Sequence, residues 1–129
     1  MSQAKCRVLF IDDHEDTSEM FSLLLGEEEY SIEHARTIAQ ALQLATSEEF
    51  DLYVLDKHMP DGSGIELCTK LNELTPGIPC LVYSGDAYEI HRAEAIAAGA
   101  DAFVAKPDVE SLIENIKKLL ANRECSTSG

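Results

Sequence analysis

Basic residues are scarce in this chain of 129 residues: 10 Lys and Arg stand against 24 Asp and Glu, a formal net charge of −14 at pH 7. A surface so negative repels nucleic-acid phosphates and anionic lipid headgroups, and no helix-turn-helix pattern offsets it, so neither direct DNA binding nor membrane binding is expected. No apolar run approaches the ~20 residues that cross a bilayer. The opening MSQAKCRVLF also lacks the separate charged, apolar and small-residue zones of a secretion signal, and a cytoplasmic location is expected. Cysteine is sparse as well: Cys6, Cys68, Cys80 and Cys125 lie far apart with no CxxC pair, which excludes a zinc knuckle and a dithiol redox motif. Cys68 and Cys80 fall inside apolar patterns and read as small core residues, Cys6 and Cys125 as free thiols. There is no internal repeat and no low-complexity tract. The length suits one domain, expected over 1–122 with a polar tail at 123–129 that is compatible with a stand-alone protein or with the first part of a longer one.

What is present is apolar patterning. Four short runs are almost wholly apolar: Val8 to Ile11, Leu52 to Leu55, Cys80 to Tyr83 and Ala102 to Ala105. Such runs fit strands of a parallel sheet covered on both faces, and the more polar Tyr30 to Ala35 fits an edge strand. Between them the period changes. Ile38, Ala41, Leu42 and Ala45 recur at helical spacing behind the capping pair Thr37/Gln40; Ile65, Cys68, Leu71 and Leu74 follow Ser63/Glu66. Further helices are predicted at about 15–26, at 88–98 with Gly99 as the stop, and from Val109 to Leu120 with Asp108 as the cap. Glu27-Glu28-Glu29 opposes the dipole at a helix end and reads as a solvated loop. Strict β/α alternation predicts an α/β fold, a doubly wound (βα)5 sandwich whose parallel five-stranded sheet has order 2-1-3-4-5. In such sheets ligands bind beyond the carboxyl ends of the strands.

The residues that close the central strands are Asp12 and Asp13, Asp56, Ser84 and Lys106. Each alone could be a helix cap or a solvated charge. Together they have a chemistry. Three carboxylates in a partly desolvated cleft repel one another unless a cation intervenes, and carboxylates with a backbone carbonyl and water suit Mg2+ or Mn2+. A carboxylate can also attack phosphorus, the surrounding groups then serving to position the phosphoryl oxygens and neutralise their charge. Lys106 has that charge, Ser84 a small hydroxyl donor, and Gly85 beside it leaves the approach open.

The tokens FIDDH, LDKHMPDGSG, VYSGD and FVAKP, in this order over about residues 7–120, resemble the receiver domain of bacterial two-component response regulators (the CheY-like superfamily). The resemblance implies a phosphoacceptor signalling domain rather than an enzyme, one that assists its own phosphorylation and dephosphorylation. Asp56 would be the phosphorylation site, and Asp13, Asp56, the backbone carbonyl of His58 and, through water, Asp12 would hold the Mg2+ ion. Lys106 would contact the phosphoryl group, with Lys106-Pro107 a cis bond. Ser84 and Phe103 would form the switch pair: Ser84 moves to the phosphoryl group, Phe103 turns inward, and the face of the fourth helix, fifth strand and fifth helix changes. The implied donor is a histidine kinase or phosphotransfer protein. The implied receiver of the signal is a downstream protein partner or output domain, and the same face is where a homodimer would form.

Lys57 departs from the pattern, which mostly has an apolar residue after the phosphoacceptor; its stem is expected to pack and its ammonium to reach water, the alternative being a position near the acidic pocket. His58 and Asp86 are expected to flank the phosphoryl group and are predicted to pair across the cleft mouth. His14, His34 and His91 have no metal-ligand spacing and read as surface or edge residues. A phosphohydrolase of the haloacid-dehalogenase type is the enzymatic alternative, but the D-x-D-x-T/V motif after the first strand is missing. A flavin carrier would need a Ser/Thr/Gly-rich loop where Asp12-Asp13-His14-Glu15-Asp16 stands. A receiver-shaped binding module that is never phosphorylated is the third reading, opposed by the complete acidic set.

Overall fold

The computed structural model describes residues 6–12, 30–85, 89–105 and 108–121, with 89–91 as backbone only. The apolar runs are strands: β1 Cys6–Ile11, β2 Tyr30–Ala35, β3 Leu52–Leu55, β4 Cys80–Ser84 and β5 Ala102–Ala105. All pair in parallel, in the order β2-β1-β3-β4-β5, so the predicted doubly wound sheet is the observed one. The described helices are α1 Ile38–Ser47, α2 Gly64–Leu74, α3 Glu89–Ala97 and α4 Val109–Ala121. The helix expected at 15–26 and the Glu27-Glu28-Glu29 loop lie outside the described residues.

Strand side chains alternate between two cores, which is why the central runs carry no polar residue. Leu9, Ile11, Tyr53, Leu55 and Val82 pack with Ala41, Leu67, Leu71 and Ala95 of α1, α2 and α3. Val8, Phe10, Val54, Leu81 and Val104 face Leu112, Ile116 and Leu120 of α4. Caps act largely as their residue types predict. Thr37 accepts from the Gln40 amide (3.1 Å), but Gln40 reaches back to the Arg36 amide (2.9 Å) and not to that of Thr37. Ser63 accepts from Ile65, one residue earlier than a capping box would have it, and Asp108 from Ser111. Gly99 (φ +106°) ends α3 in the left-handed region, with Ala100 bonded to the Ala95 carbonyl and Gly99 to that of Ile96, the Schellman arrangement. Leu74, expected on the apolar face of α2, is half exposed because the helix stops there.

At the amino ends of the strands one device recurs. Asp51 is buried; its carboxylate accepts from the Arg7 amide (2.8 Å) and its own amide donates to the Arg7 carbonyl (2.7 Å). Asp101 makes the same pair of bonds with Cys80 (3.0 and 2.7 Å). Each carboxylate thus extends the sheet ladder by one bond where a strand begins, and at Asp51 that bond offsets the cost of burial, while Asp101 is exposed. Cys68 and Cys80 are buried free thiols, as expected; Cys80 is pushed up by its hydrogen bond with Cys68 and by burial, so it stays a protonated core group. Cys6, expected to be free, is instead disulfide-bonded, while Cys125 lies outside the described residues. Spacing along the chain carries no information on the Cα–Cα distance that decides such pairing.

Candidate functional site

The site is assembled by the ends of three adjacent strands. Asp12 follows β1 and its amide donates to the Ala35 carbonyl (3.0 Å); Asp56 follows β3 and its amide donates to the Ile11 carbonyl (3.0 Å). Because Ile11 pairs with Leu55, Asp12 and Asp56 occupy the next rung of neighbouring strands. Both are buried, at 3% and 8% exposure. Ser84 ends β4, fully buried and opposite Ala105, one residue before Lys106. Asp13, Lys106, Pro107 and Asp86 lie outside the described residues, and with them the pairing expected of His58 with Asp86. Among the described residues no group of three or more His, Cys, Asp or Glu gathers, so the acids brought together here are Asp12 and Asp56.

The loop after β3 holds Asp56 in place. The His58 amide donates to Asp56 Oδ1 (3.3 Å), so the backbone of the residue whose carbonyl is the expected metal ligand lies beside the Asp56 carboxylate, while the His58 side chain is exposed. Residues His58–Met59 and Gly62–Ser63 form a short antiparallel ladder, an element with no signal in the sequence. Asp61 at its tip caps α1, accepting from the Ile38 and Ala39 amides (2.8 and 3.2 Å); the Ile38 bond above all holds its carboxyl below the usual range. Gly64 starts α2 with its amide on the Lys57 carbonyl (2.7 Å), and a Cβ there would lie 1.8 Å from the Asp56 carbonyl oxygen. Only glycine lets α2 approach this closely. At Gly85 a Cβ would meet nothing within 4 Å among the described residues.

Three placements differ from expectation or refine it. The Lys57 side chain is buried, and its ammonium faces Glu94 Oε2 of α3 at 4.0 Å instead of reaching into water, because a carboxylate on the neighbouring helix lies within its stem's length. Phe103 is buried at 8% exposure, in the core cluster that includes Ala95 and Ala100. His34, read as an edge residue without a task, has Nε2 2.7 Å from the Asp12 carbonyl oxygen. A cavity of about 490 Å3 lined by Phe50, Tyr53, Thr75 and Ile78 opens at the amino edge of the sheet, and the position of ligand sites in doubly wound sheets argues against it as the reaction site.

A doubly wound parallel sheet whose carboxyl edge gathers buried acids and a buried hydroxyl defines a class of phosphate-handling α/β domains. Comparison with known proteins makes this specific. The family model described as the response regulator receiver domain matches residues 8–117, and the chain belongs to that family. It is 34% identical over 122 residues to the probable transcriptional regulatory protein TcrX of Mycobacterium tuberculosis, covering 93% of this chain and 52% of that protein. The chain spans about half the length of several of the curated relatives it matches. Among solved structures, the non-phosphorylated HemR receiver domain from Leptospira biflexa superposes with a TM-score of 0.84 at 27% identity, covering 95% of this chain and all of that one. A response regulator from Burkholderia pseudomallei, solved with a phosphorylated aspartic acid, calcium ion and citrate, gives a TM-score of 0.78 at 31% identity, covering 92% of this chain and 72% of that one. The chain is a receiver domain of the kind found in two-component response regulators. No described helix is long and apolar enough to cross a membrane.

Proposed function

We propose that Asp56 is the phosphoacceptor, taking a phosphoryl group from a phosphohistidine on a histidine kinase or phosphotransfer protein in a reaction that needs Mg2+, with Mn2+ able to substitute. The observation that carries this reading is the burial of two carboxylates, Asp12 and Asp56, on one rung of adjacent strands. Two such groups repel at this distance from bulk water, and the donor set is oxygen only, which fits a hard divalent ion. Asp12, Asp13, Asp56 and the His58 carbonyl would hold it, and when bound it offsets negative charge on the carboxylates and phosphoryl oxygens.

The chain's own groups do the rest. An Asp56 oxygen attacks phosphorus as the bond from phosphorus to the donor histidine nitrogen breaks; the His58 amide and the Ile11 carbonyl hold Asp56 in place for the attack. Lys106 neutralises an equatorial oxygen, and the Ser84 hydroxyl donates to another across the space left open at Gly85. Ser84 pairs directly with β5, so its movement toward the phosphoryl group would reach the face of α3, β5 and α4, where a downstream partner, an output domain or a second copy would dock. The protein works where its cytoplasmic donor does, and assists its own phosphorylation and dephosphorylation without turning over a separate substrate.

The test is intact-mass analysis after incubation with acetyl phosphate, with and without Mg2+, on the wild type and Asp56→Asn. One metal-dependent, base-labile phosphoryl adduct is expected, absent from the variant. Equal labelling of both proteins would refute the assignment.

A further inference from the structure

We infer that His34 is a positioning residue for the acidic pocket: from the edge strand it holds the peptide that joins Asp12 to Asp13. The inference rests on the proposal that these acids bind a divalent ion, and assigns a task to a side chain that is not a ligand.

His34 is the fifth residue of β2, paired in register with Phe10 of β1. The backbone ladder between the two strands ends with the Asp12 amide on the Ala35 carbonyl (3.0 Å). After Ala35 the chain bends away, the Arg36 amide goes to Gln40 Oε1 and α1 begins at Ile38. The strand therefore ends where the Asp12 carbonyl would next seek a donor. The imidazole takes over: Nε2 lies 2.7 Å from that oxygen, at the short end of N–H···O distances. A carbonyl only accepts, so the ring nitrogen donates, and the neutral ring must carry its proton on Nε2.

The consequence follows from planarity of the peptide bond. Fixing the direction of the Asp12 carbonyl fixes the plane of the Asp12–Asp13 peptide, hence ψ of Asp12. That torsion sets the course on which the backbone leaves Asp12 toward the next acid. Two adjacent carboxylates in a partly buried cleft otherwise gain by splaying apart, which is the arrangement least suited to sharing an ion. The amide of Asp12 is held by Ala35 and its carbonyl by His34, so the residue is gripped from β2 on both sides before any cation arrives. Preorganisation of this kind raises metal affinity without adding a ligand.

The experiment uses the whole chain and Mn2+ as the probe, with free Mn2+ counted by electron paramagnetic resonance. His34→Ala is expected to bind Mn2+ about three- to tenfold more weakly, the factor that one hydrogen bond supplies. His34→Gln, whose amide can donate from a similar position, is expected to stay within about twofold of the wild type. A purely structural His34 would lower the urea midpoint of His34→Ala but leave its Mn2+ affinity unchanged, and that result overturns the inference. An independent readout needs no metal: long-range 1H–15N spectra of the neutral ring are expected to show the Nε2–H tautomer, and a Nδ1–H ring overturns the hydrogen bond itself. A wild-type chain that binds no Mn2+ while showing the Nε2–H tautomer overturns the metal proposal, and the positioning role falls with it.

Discussion

Replacing Gly64 by alanine sets two effects of opposite sign against each other. Gly64 is the first residue of α2 and its φ is not in the left-handed region, so by propensity and unfolded-state entropy alone the substitution should stabilise by about 0.4–1 kcal/mol. Packing predicts the reverse. The added Cβ would lie 1.8 Å from the Asp56 carbonyl oxygen, 2.8 Å from its carbonyl carbon and 3.1 Å from Lys57 Cα, and all three are backbone atoms. Relieving the first contact needs a separation of more than 1 Å between the start of α2 and the β3 loop, which stretches the 2.7 Å bond from Gly64 to the Lys57 carbonyl. Overpacking of this kind costs about 1–3 kcal/mol or more, so the net change is expected to be destabilising by about 1–2 kcal/mol, or roughly 3–8 °C in Tm for a domain of this size. Because the displaced backbone is that of Asp56, metal-dependent labelling by acetyl phosphate should also slow. Gly85→Ala is the control: its Cβ meets nothing within 4 Å among the described residues, and its stability should stay within about 0.5 kcal/mol of the wild type. Urea unfolding and intact-mass kinetics measure both quantities. A Gly64→Ala protein as stable as the wild type, with unchanged labelling, would refute the close-approach argument.

Two further outcomes are expected. Asn72 Nδ2 donates to the Ala98 and Gly99 carbonyls (3.4 and 3.2 Å) at the end of α3, so Asn72→Ala should lower stability by about 1–2 kcal/mol, seen as a lower urea midpoint with the same slope. Asp61 has its carboxyl held below the ordinary value by the α1 amides, the Ile38 bond first. A depressed native pKa contributes stability above the unfolded value that is lost as pH falls through the native one. The stability difference between wild type and Asp61→Ala should therefore shrink as the pH is lowered from about 5 to about 3. A difference that is constant or grows on acidification would show that the carboxylate does not cap α1.

The strands were legible because burial on both faces leaves no polar position in runs such as Leu52 to Leu55, and α1 and α2 because Thr37 and Ser63 announce their starts. From these, β/α alternation implies the sheet order, and the sheet order implies which loop residues share an edge, so Asp12, Asp56 and Ser84 are legible in the sequence as edge residues. Other features have no local signature. The two-residue ladder after β3 is too short for any periodicity, and it exists because Asp61 and Gly62 find the start of α1 beside them. Lys57 looks like a surface residue until α3 brings Glu94 within 4.0 Å. The pairing of Cys6, the closeness that makes Gly64 obligatory and the grip of His34 on the Asp12 carbonyl likewise depend on distances between segments far apart in the chain. Sequence alone determined the long strands, the capped helices and the presence of Asp12, Asp56 and Ser84 at the carboxyl edge, since hydrophobic period and strand ends are local properties. Tertiary structure alone decided how those groups are held, because a hydrogen bond or a steric contact between strands and helices is a matter of a few tenths of an ångström that no spacing encodes.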